Sequence, residues 1–484
     1  MKYYLTTPIY YVNDKPHIGS AYTTIAADVI ARYQKQRGSA VRFITGTAEH
    51  GDKIATSAQA AGQSIVEFTD KNATAFQAAW QALNINYDDF LRTSEDRHAQ
   101  SVSDFFQKLK NSKKIYEGEY QGLYCVGHEA FIKESELDEN GLCPDHKTTP
   151  EKLKETNWFF KLSHYADQLK QLISSDQLLV QPLSRKNEVL SFIDQGLEDI
   201  AISRQNVANA LPLPWDSSQT IYVWLDELWS YCTASADLWP AELHLIGKDI
   251  IKFHCVIWPA LLLAIGEKPP RRVFAHGFFT VDGQKMSKSL GNVMNPLDLV
   301  QEFGADATRY LLLREIPFGA DGDISLSKLK ERYNADLANG LGNLVSRTLN
   351  MFEKYWPDFS PPARGGVLAV GEGGGGSYVE HLESLALDKA LAATWQQIAR
   401  ADQLIESKKP WQLAKNPKSP LPVKGGAGGG FSELEGVLSQ LFSTLQQINS
   451  QIAPFMPDTH AKLTKLLSAR PLKKPAEPLF ARKD

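Results

Sequence analysis

The chain has 484 residues, with 52 Lys and Arg against 56 Asp and Glu, a formal net charge of -4 and 43% hydrophobic residues. That length suits two or three domains with sizeable cores, and the charge balance excludes a uniformly basic nucleic-acid coat while leaving room for a local basic face. The longest apolar run, 256–265, is broken by Pro259 and too short to cross a bilayer. Four Cys without a disulfide-like framework suit a reducing compartment, so a cytoplasmic protein is expected, an organellar one after removal of a targeting peptide staying open.

A strand is expected at 3–5, then a turn region marked by Pro8, Asn13, Asp14 and Pro16. Tyr22, Ile25, Ala26, Val29, Ile30 and Tyr33 follow at helical spacing, and Gly38 ends the run. His17 and Ser20 stand one turn apart at the start of this helix, where backbone N–H groups and the positive dipole end favour a polyphosphate. Strand and helix signals alternate over 1–115 and again over 203–280, which predicts an α/β fold with a Rossmann-type parallel sheet in two halves.

Residues 116–202 form an insertion between the halves. It carries Cys125-Val-Gly-His128 and Cys143-Pro-Asp-His146, two Cys-x-x-His pairs that match a closed, structural tetrahedral zinc site. Trp224, Leu228 and Tyr231 fall at i, i+4, i+7, and Ile250, His254 and Trp258 at i, i+4, i+8, so each set makes one helix face. By spacing alone, either stripe is ordinary core. Cys232 and Cys255 read as core thiols.

A strand at 273–279 and an Asp282-Gly283 turn lead into Lys285 and Lys288, on a loop able to close over phosphates in the segment 281–328. From 329 to 484 the pattern is helical, with the Gly-rich tracts 371–376 and 425–430 expected as loops. Asn343 and Arg347 lie at i, i+4 on a helix beginning after Asp336, and Pro410-Trp411 opens another helical stretch.

Thr7-Pro-Ile-Tyr-Tyr-Val-Asn13, His17-Ile-Gly19, Thr45-Gly-Thr-Ala-Glu-His-Gly51, Ser184-Arg-Lys-Asn-Glu188, Ile202-Ser-Arg204, Tyr222-Val-Trp-Leu-Asp226, Gly247-Lys-Asp-Ile-Ile-Lys-Phe-His254 and Lys285-Met-Ser-Lys-Ser289 occur in this order. Together they resemble the class I aminoacyl-tRNA synthetases, most closely the methionyl-tRNA synthetases, from Tyr3 to about Tyr355. The resemblance implies ATP-dependent ligation of methionine to methionine tRNA through methionyl-adenylate, with Mg²⁺ accompanying the nucleotide. It implies catalytic roles for His17, Ser20, Lys285 and Lys288, and ATP contacts from His17, Gly19, Gly247, Asp249 at the ribose, Lys285 and Lys288.

The amino-acid pocket implied by the resemblance consists of Ile9, Tyr11, Ala48, Trp224, Glu227, Leu228, Tyr231, Ile250, His254 and Trp258, an aromatic slot suited to a polarizable thioether. Asn343, Arg347 and Trp411 correspond to the family's anticodon readers, in an all-α anticodon-binding bundle over 329–484. The chain ends soon after Phe480, without the extra C-terminal module of some relatives, so a monomer is expected.

Several positions depart from the family's pattern. Ser20 replaces the second His of His-x-Gly-His, Ala48 stands where an Asp usually holds the substrate's α-amino group, Glu227 takes a small-residue position, and Asn209-Ala210 replaces Trp-Gly. One reading is that Glu227, on the helix face of Trp224 and Tyr231, supplies the missing carboxylate. The alternative is a degenerate paralogue that binds tRNA or activates a different amino acid. A nucleotidylyltransferase without a tRNA partner shares His-x-Gly but leaves the helical region with Asn343, Arg347 and Trp411 unexplained.

Overall fold

The structure, a computed structural model, describes residues 2–125, 130–132, 134–144, 147–205, 207–285, 292–359, 376–415 and 432–483. It divides into two compact units, Met1–Gln81 with Ile85–Phe278, and Ala82–Asn84 with Phe279–Asp484.

The first unit is built on six parallel strands, β1 (Lys2–Tyr11), β2 (Ala40–Ala48), β3 (Asp89–Arg92), β4 (Leu179–Gln181), β5 (Leu243–Gly247) and β6 (Arg272–His276). Their spatial order is β3-β2-β1-β5-β6-β4, so the winding reverses between β1 and β5. A crevice outside the carboxyl ends of the strands at such a reversal is the usual ligand position in an open parallel sheet. β1 continues through Pro8 to Tyr11 instead of turning there. Its ladder to β2 shifts register between Thr6 and Ile9, which accommodates a residue with no N–H to donate.

Helix α1 (Ile18–Gln36) follows β1, α2 (Asp96–Asn111) follows β3, and α3 (Val223–Ser235) precedes β5. In α2, Val102, Phe105, Phe106 and Leu109 recur at helical spacing and are fully buried, each worth about 2 kcal/mol of hydrophobic burial. They belong to one core with Phe160, Leu225, Leu228, Trp258 and Leu261. The insertion forms an antiparallel sheet from Ile115–Cys125, Ala130–Ile132, Glu151–Phe160 and Ile200–Ala201. It also supplies β4, which pairs with β6 at the edge of the large sheet.

In the second unit, Phe279–Val281 and Gln284–Lys285 form the hairpin expected at Asp282-Gly283, whose φ angles of 51° and 75° are those of a tight primed turn. The strand expected at 273–279 is thus divided, its first part in β6 and Phe279 in this hairpin. Gly322–Ile324 adds a parallel strand beside Phe279–Val281, and the rest of the unit is helical, including α4 (Asn343–Tyr355), α5 (Leu387–Lys408), α6 (Glu433–Ile452) and α7 (Pro457–Ser468). The π-helical stretch Tyr333–Gly342 runs directly into α4. Fully buried Arg309 donates to the carbonyls of Leu83, Asn84, Pro454 and Phe455. The Gly-rich tracts lie outside the described residues, except that Gly376 starts the helix Gly376–Glu383. No helix among the described residues is long and apolar enough to cross a membrane.

Candidate active site

β1 delivers the chain to the N-terminus of α1 at the reversal point. His17 is the N-cap, in extended backbone geometry, and its Nδ1 accepts the Gly19 N–H at 3.0 Å. In a neutral ring that places the proton on Nε2, making this exposed imidazole a donor at the positive end of the helix. Gly19 makes the arrangement possible, because a Cβ there would lie 2.8 Å from His17 Cε1. Ser20 is buried and closes a capping box. It accepts the His17 N–H at 3.2 Å and donates to the His17 carbonyl at 2.8 Å. Its hydroxyl is therefore engaged in holding the helix start.

The strands on the other side of the reversal end at Gly247 and His276. A Cβ at Gly247 would fall 2.5 Å from Asp249 Oδ1, so only glycine allows that carboxylate to fold back over the strand end. His276, which the sequence reading did not single out, is buried. Its Nδ1–H donates to the Gly277 carbonyl at 2.8 Å, so Nε2 accepts from the Thr23 hydroxyl at 2.6 Å and ties β6 to α1. Burial lowers its pKa to about 4 and keeps it neutral.

The two aromatic stripes are each placed in this unit. Trp224 stacks on Phe253 at 4.0 Å, and the turn Phe253–Ile257 is π-helical, which offsets His254 and Trp258 from ideal i, i+4 positions. His254 donates from Nδ1 to the Ile250 carbonyl at 3.0 Å and accepts the Tyr231 hydroxyl on Nε2 at 2.7 Å. A second chain lies behind it. Trp258 Nε1–H donates to His244 Nε2 at 3.4 Å, which leaves His244 Nδ1–H to donate to Thr6 Oγ1 at 2.7 Å. Burial holds His254 at about 4 and His244 well below the usual imidazole range.

Ile9, Ala48, Glu227, Leu228, Tyr231, His254 and Trp258 are buried, whereas Tyr11, Trp224 and Ile250 are half-buried. Tyr11 carries Lys53 Nζ over its ring at 5.8 Å. Glu227 raises the Tyr231 phenol after burial, which is the larger cause.

Sequence reasoning missed a second polar cluster. Asp226 is 1% exposed and accepts from two imidazoles, His50 Nδ1 at 2.8 Å and His98 Nε2 at 2.9 Å. Burial alone would raise its pKa, but the two imidazoles outweigh it and hold the carboxyl at about 2. Beside it, buried Glu49 takes a bidentate pair from Arg92 at 2.7 and 2.9 Å. The partners lie dozens to more than a hundred residues apart, so no local spacing announces them.

The family model described as tRNA synthetases class I (M) matches residues 3–151 and 142–349. A methionine–tRNA ligase of a Nostoc species is 42% identical, over 96% of this chain and 89% of that protein, and one of Clostridium perfringens is 41% identical over 97% and 73%. The structure of Mycobacterium tuberculosis methionyl-tRNA synthetase in complex with methionyl-adenylate superimposes with a TM-score of 0.89 at 36% identity, covering 99% of this chain and 100% of that one. The chain belongs to the class I methionyl-tRNA synthetases.

Of the synthetase loop residues, Lys285 pairs through its backbone with Thr280, while its side chain and all of Lys288 lie outside the described residues. The expected convergence of these lysines with His17 therefore also lies outside them. His128 and His146 do too, and among the described residues no group of three or more potential ligands is placed to hold a metal. Cys125 and Cys143 are fully buried. The Cys143 N–H donates to the Thr148 carbonyl, and the Cys143 carbonyl accepts the Lys147 N–H. Cys232 and Cys255 are buried, and burial pushes both thiols up.

In the second unit, Arg347 and Trp411 line one cavity of about 150 Å³ with Asn350, Met351, Tyr355 and Ile405. Arg347 donates to Asp402 at 3.3 Å and Glu406 at 2.6 Å, and Trp411 is 37% exposed. Asn343, exposed, begins α4 one turn before Arg347.

Proposed function

We infer that the chain is a methionine–tRNA ligase, joining methionine to tRNA through methionyl-adenylate with ATP as the energy source. The observation that carries this is the near-complete match to a synthetase holding methionyl-adenylate. In the first step a carboxylate oxygen of methionine attacks the α-phosphorus of ATP, and the bond to the bridging oxygen breaks to release pyrophosphate. In the second, the terminal ribose hydroxyl of tRNA displaces AMP. No covalent enzyme intermediate is needed, so catalysis is positioning and stabilisation of phosphoryl charge.

The His17 Nε2–H and the N-terminus of α1 are assigned to the phosphates, and Gly247 and Asp249 to the ribose. The capped geometry of His17 and the glycine-dependent fold of Asp249 support these roles. Lys285 and Lys288 would add cationic charge at the phosphates. Bound Mg²⁺ would neutralise the departing pyrophosphate. Ile9, Tyr11, Trp224, Leu228, Tyr231, Ile250, His254 and Trp258 are assigned to the thioether slot, their buried or half-buried aromatic and aliphatic surface suiting a soft side chain. Ala48 brings no charge to this wall, and buried Glu227 is assigned to the substrate's ammonium, because a buried carboxylate is costly unless a cation meets it.

Asn343, Arg347 and Trp411 are assigned to the anticodon, with the half-exposed indole as a stacking surface. Cys125, His128, Cys143 and His146 are assigned to one structural zinc, which the burial of both cysteines supports. We divide the chain into the two catalytic halves 1–115 and 203–280, the connective insertion 116–202, the loop and stem-contact segment 281–328 and the anticodon-binding bundle 329–484.

ATP–pyrophosphate exchange with a panel of amino acids tests the assignment. Exchange dependent on methionine is expected, and its absence with methionine would sink the reading. Glu227→Ala should raise the methionine KM by about a hundredfold, the scale of leaving a buried charge uncompensated. Ala48→Asp in that background should recover much of the loss.

A further inference from the structure

We propose that Asp226 is a positioning residue for the amino-acid slot: shared between His50 and His98, its carboxylate fixes the end of β2 against α3. The inference rests on the functional reading above and adds a specificity device to it.

The geometry joins three elements. His50 lies two residues after Ala48 at the end of β2, His98 sits in α2, and Asp226 lies on α3 between Trp224 and Glu227. His98 also spans α3, its Nδ1 meeting Thr233 Oγ1 at 3.0 Å while Nε2 meets Asp226. A carboxylate that is 1% exposed is costly unless cationic or donor groups surround it. Here Asp226 receives one imidazole on each oxygen, and it raises the His50 pKa against the larger opposing effect of burial.

The 47–51 segment is held from its other side as well. Glu49 receives Arg92, the Thr47 hydroxyl at 2.7 Å and the Ser94 hydroxyl at 2.5 Å, and its N–H donates to Thr93 Oγ1 at 2.9 Å. Asn209, in the left-handed region at φ 55°, donates to the Glu49 carbonyl at 2.6 Å and accepts the Gly51 N–H at 2.9 Å. Glu49 and Asn209 therefore fix the segment's own shape, whereas His50 fixes its distance to α3. The helix so held carries Trp224, Glu227, Leu228 and Tyr231, and the strand end carries Ala48. On the assignment above their separation is the width of the slot; the Asp226–His50 bond spans it, and the Asp226–His98 bond braces α3 against α2.

The two imidazoles present different nitrogens, which makes the test specific. His50 donates from Nδ1, a position that an Asn amide nitrogen reproduces and an Ala does not. In exchange assays His50→Ala and Asp226→Asn should raise the methionine KM by about tenfold or more, the scale of a lost charge-assisted bond, with the ATP KM within about twofold of wild type. His50→Asn should recover the methionine KM to within about threefold of wild type. Discrimination between methionine and norleucine should relax in His50→Ala and Asp226→Asn.

A purely structural role would lower the active fraction and the melting temperature while leaving both KM values unchanged, and that result would overturn the proposal. Equal rises in the two KM values, or no rescue by His50→Asn, would overturn it too. Calorimetric binding of methionine, which needs no turnover, separates the failures. Wild type that neither exchanges nor binds methionine refutes the functional reading and this inference together. Wild type that binds methionine, alongside variants that bind it as tightly, refutes Asp226 alone.

Discussion

The strand-end site and the helical cavity handle their polar groups in opposite ways. At the strand ends the histidines behind the slot are buried, each ring nitrogen is given a role by a fixed partner, and the carboxylates Glu49 and Asp226 are matched by Arg92 and by two imidazoles. In the helical cavity Arg347 is held by half-buried Asp402 and exposed Glu406, and Trp411 is part-exposed. A pre-organised interior suits a small substrate whose carboxylate must be placed accurately, because no reorganisation is left for the reacting step. A part-exposed, ion-paired arginine and a part-exposed indole suit the large polyanion proposed there, for which ion pairs near the surface exchange at little cost.

If that contrast is correct, changes at the strand ends should alter exchange without tRNA present, and changes in the cavity should not. The largest effect is expected for His17→Ala, which removes the donor assigned above to the phosphates and should lower the exchange rate by about 10²–10³-fold. Measuring exchange in the absence of tRNA checks this, and a loss seen only during charging would break the comparison. Trp411→Ala should raise the tRNA KM roughly ten- to hundredfold, the scale of one lost base stack of about 1–3 kcal/mol, and leave exchange untouched.

Acid should act first on the strand-end region. His254 and His276 have folded pKa values of about 4 against 6.5 in the unfolded chain, and His244 is depressed as well. Their contribution to stability is present above the unfolded value and is lost as pH falls from 6.5 toward about 4, because only the unfolded chain takes up protons there. His50 has the opposite sign, since its raised pKa favours the fold below 6.5 and is one group against three. Urea unfolding should show stability falling with pH through this window, by up to about 1.4 kcal/mol per pH unit for each imidazole. Asp226, held at about 2, gives way only at lower pH, between its unfolded 3.8 and that value.

The smallest effect is expected at Ser20. Ser20→Ala removes the reciprocal cap of α1 and should cost about 1 kcal/mol in unfolding free energy, with the exchange rate nearly unchanged. A loss comparable with that of His17→Ala would instead give the Ser20 hydroxyl a direct part at the phosphates.

Local pattern made much of this molecule legible. The helix after His17 runs Ile18–Gln36 and is followed by Gly38 at φ 84°, and Asp282-Gly283 forms the expected hairpin turn. Both are written in short stretches, where spacing and a positive φ leave few alternatives. The end of β1 was less legible, because a proline normally argues against a strand and here a shift of register absorbs it. The tautomers of His244, His254 and His276, and the grip of Asp226 on His50 and His98, could not be read at all. Each joins side chains that only the folded sheet brings together, such as Thr23 with His276 and Thr6 with His244.

The sequence by itself determined the alternation of strands and helices, the start of α1 after His17 and the family to which the chain belongs, because these depend on residue type and on spacing within a few turns. Only the tertiary structure decided that Ser20 would face inward to cap a helix, that β4 would return from the insertion to the sheet edge, and that Asp226 would face two imidazoles. Those outcomes depend on which segments meet across the sheet, and burial then makes each meeting selective, since a polar group removed from water must find its partner there.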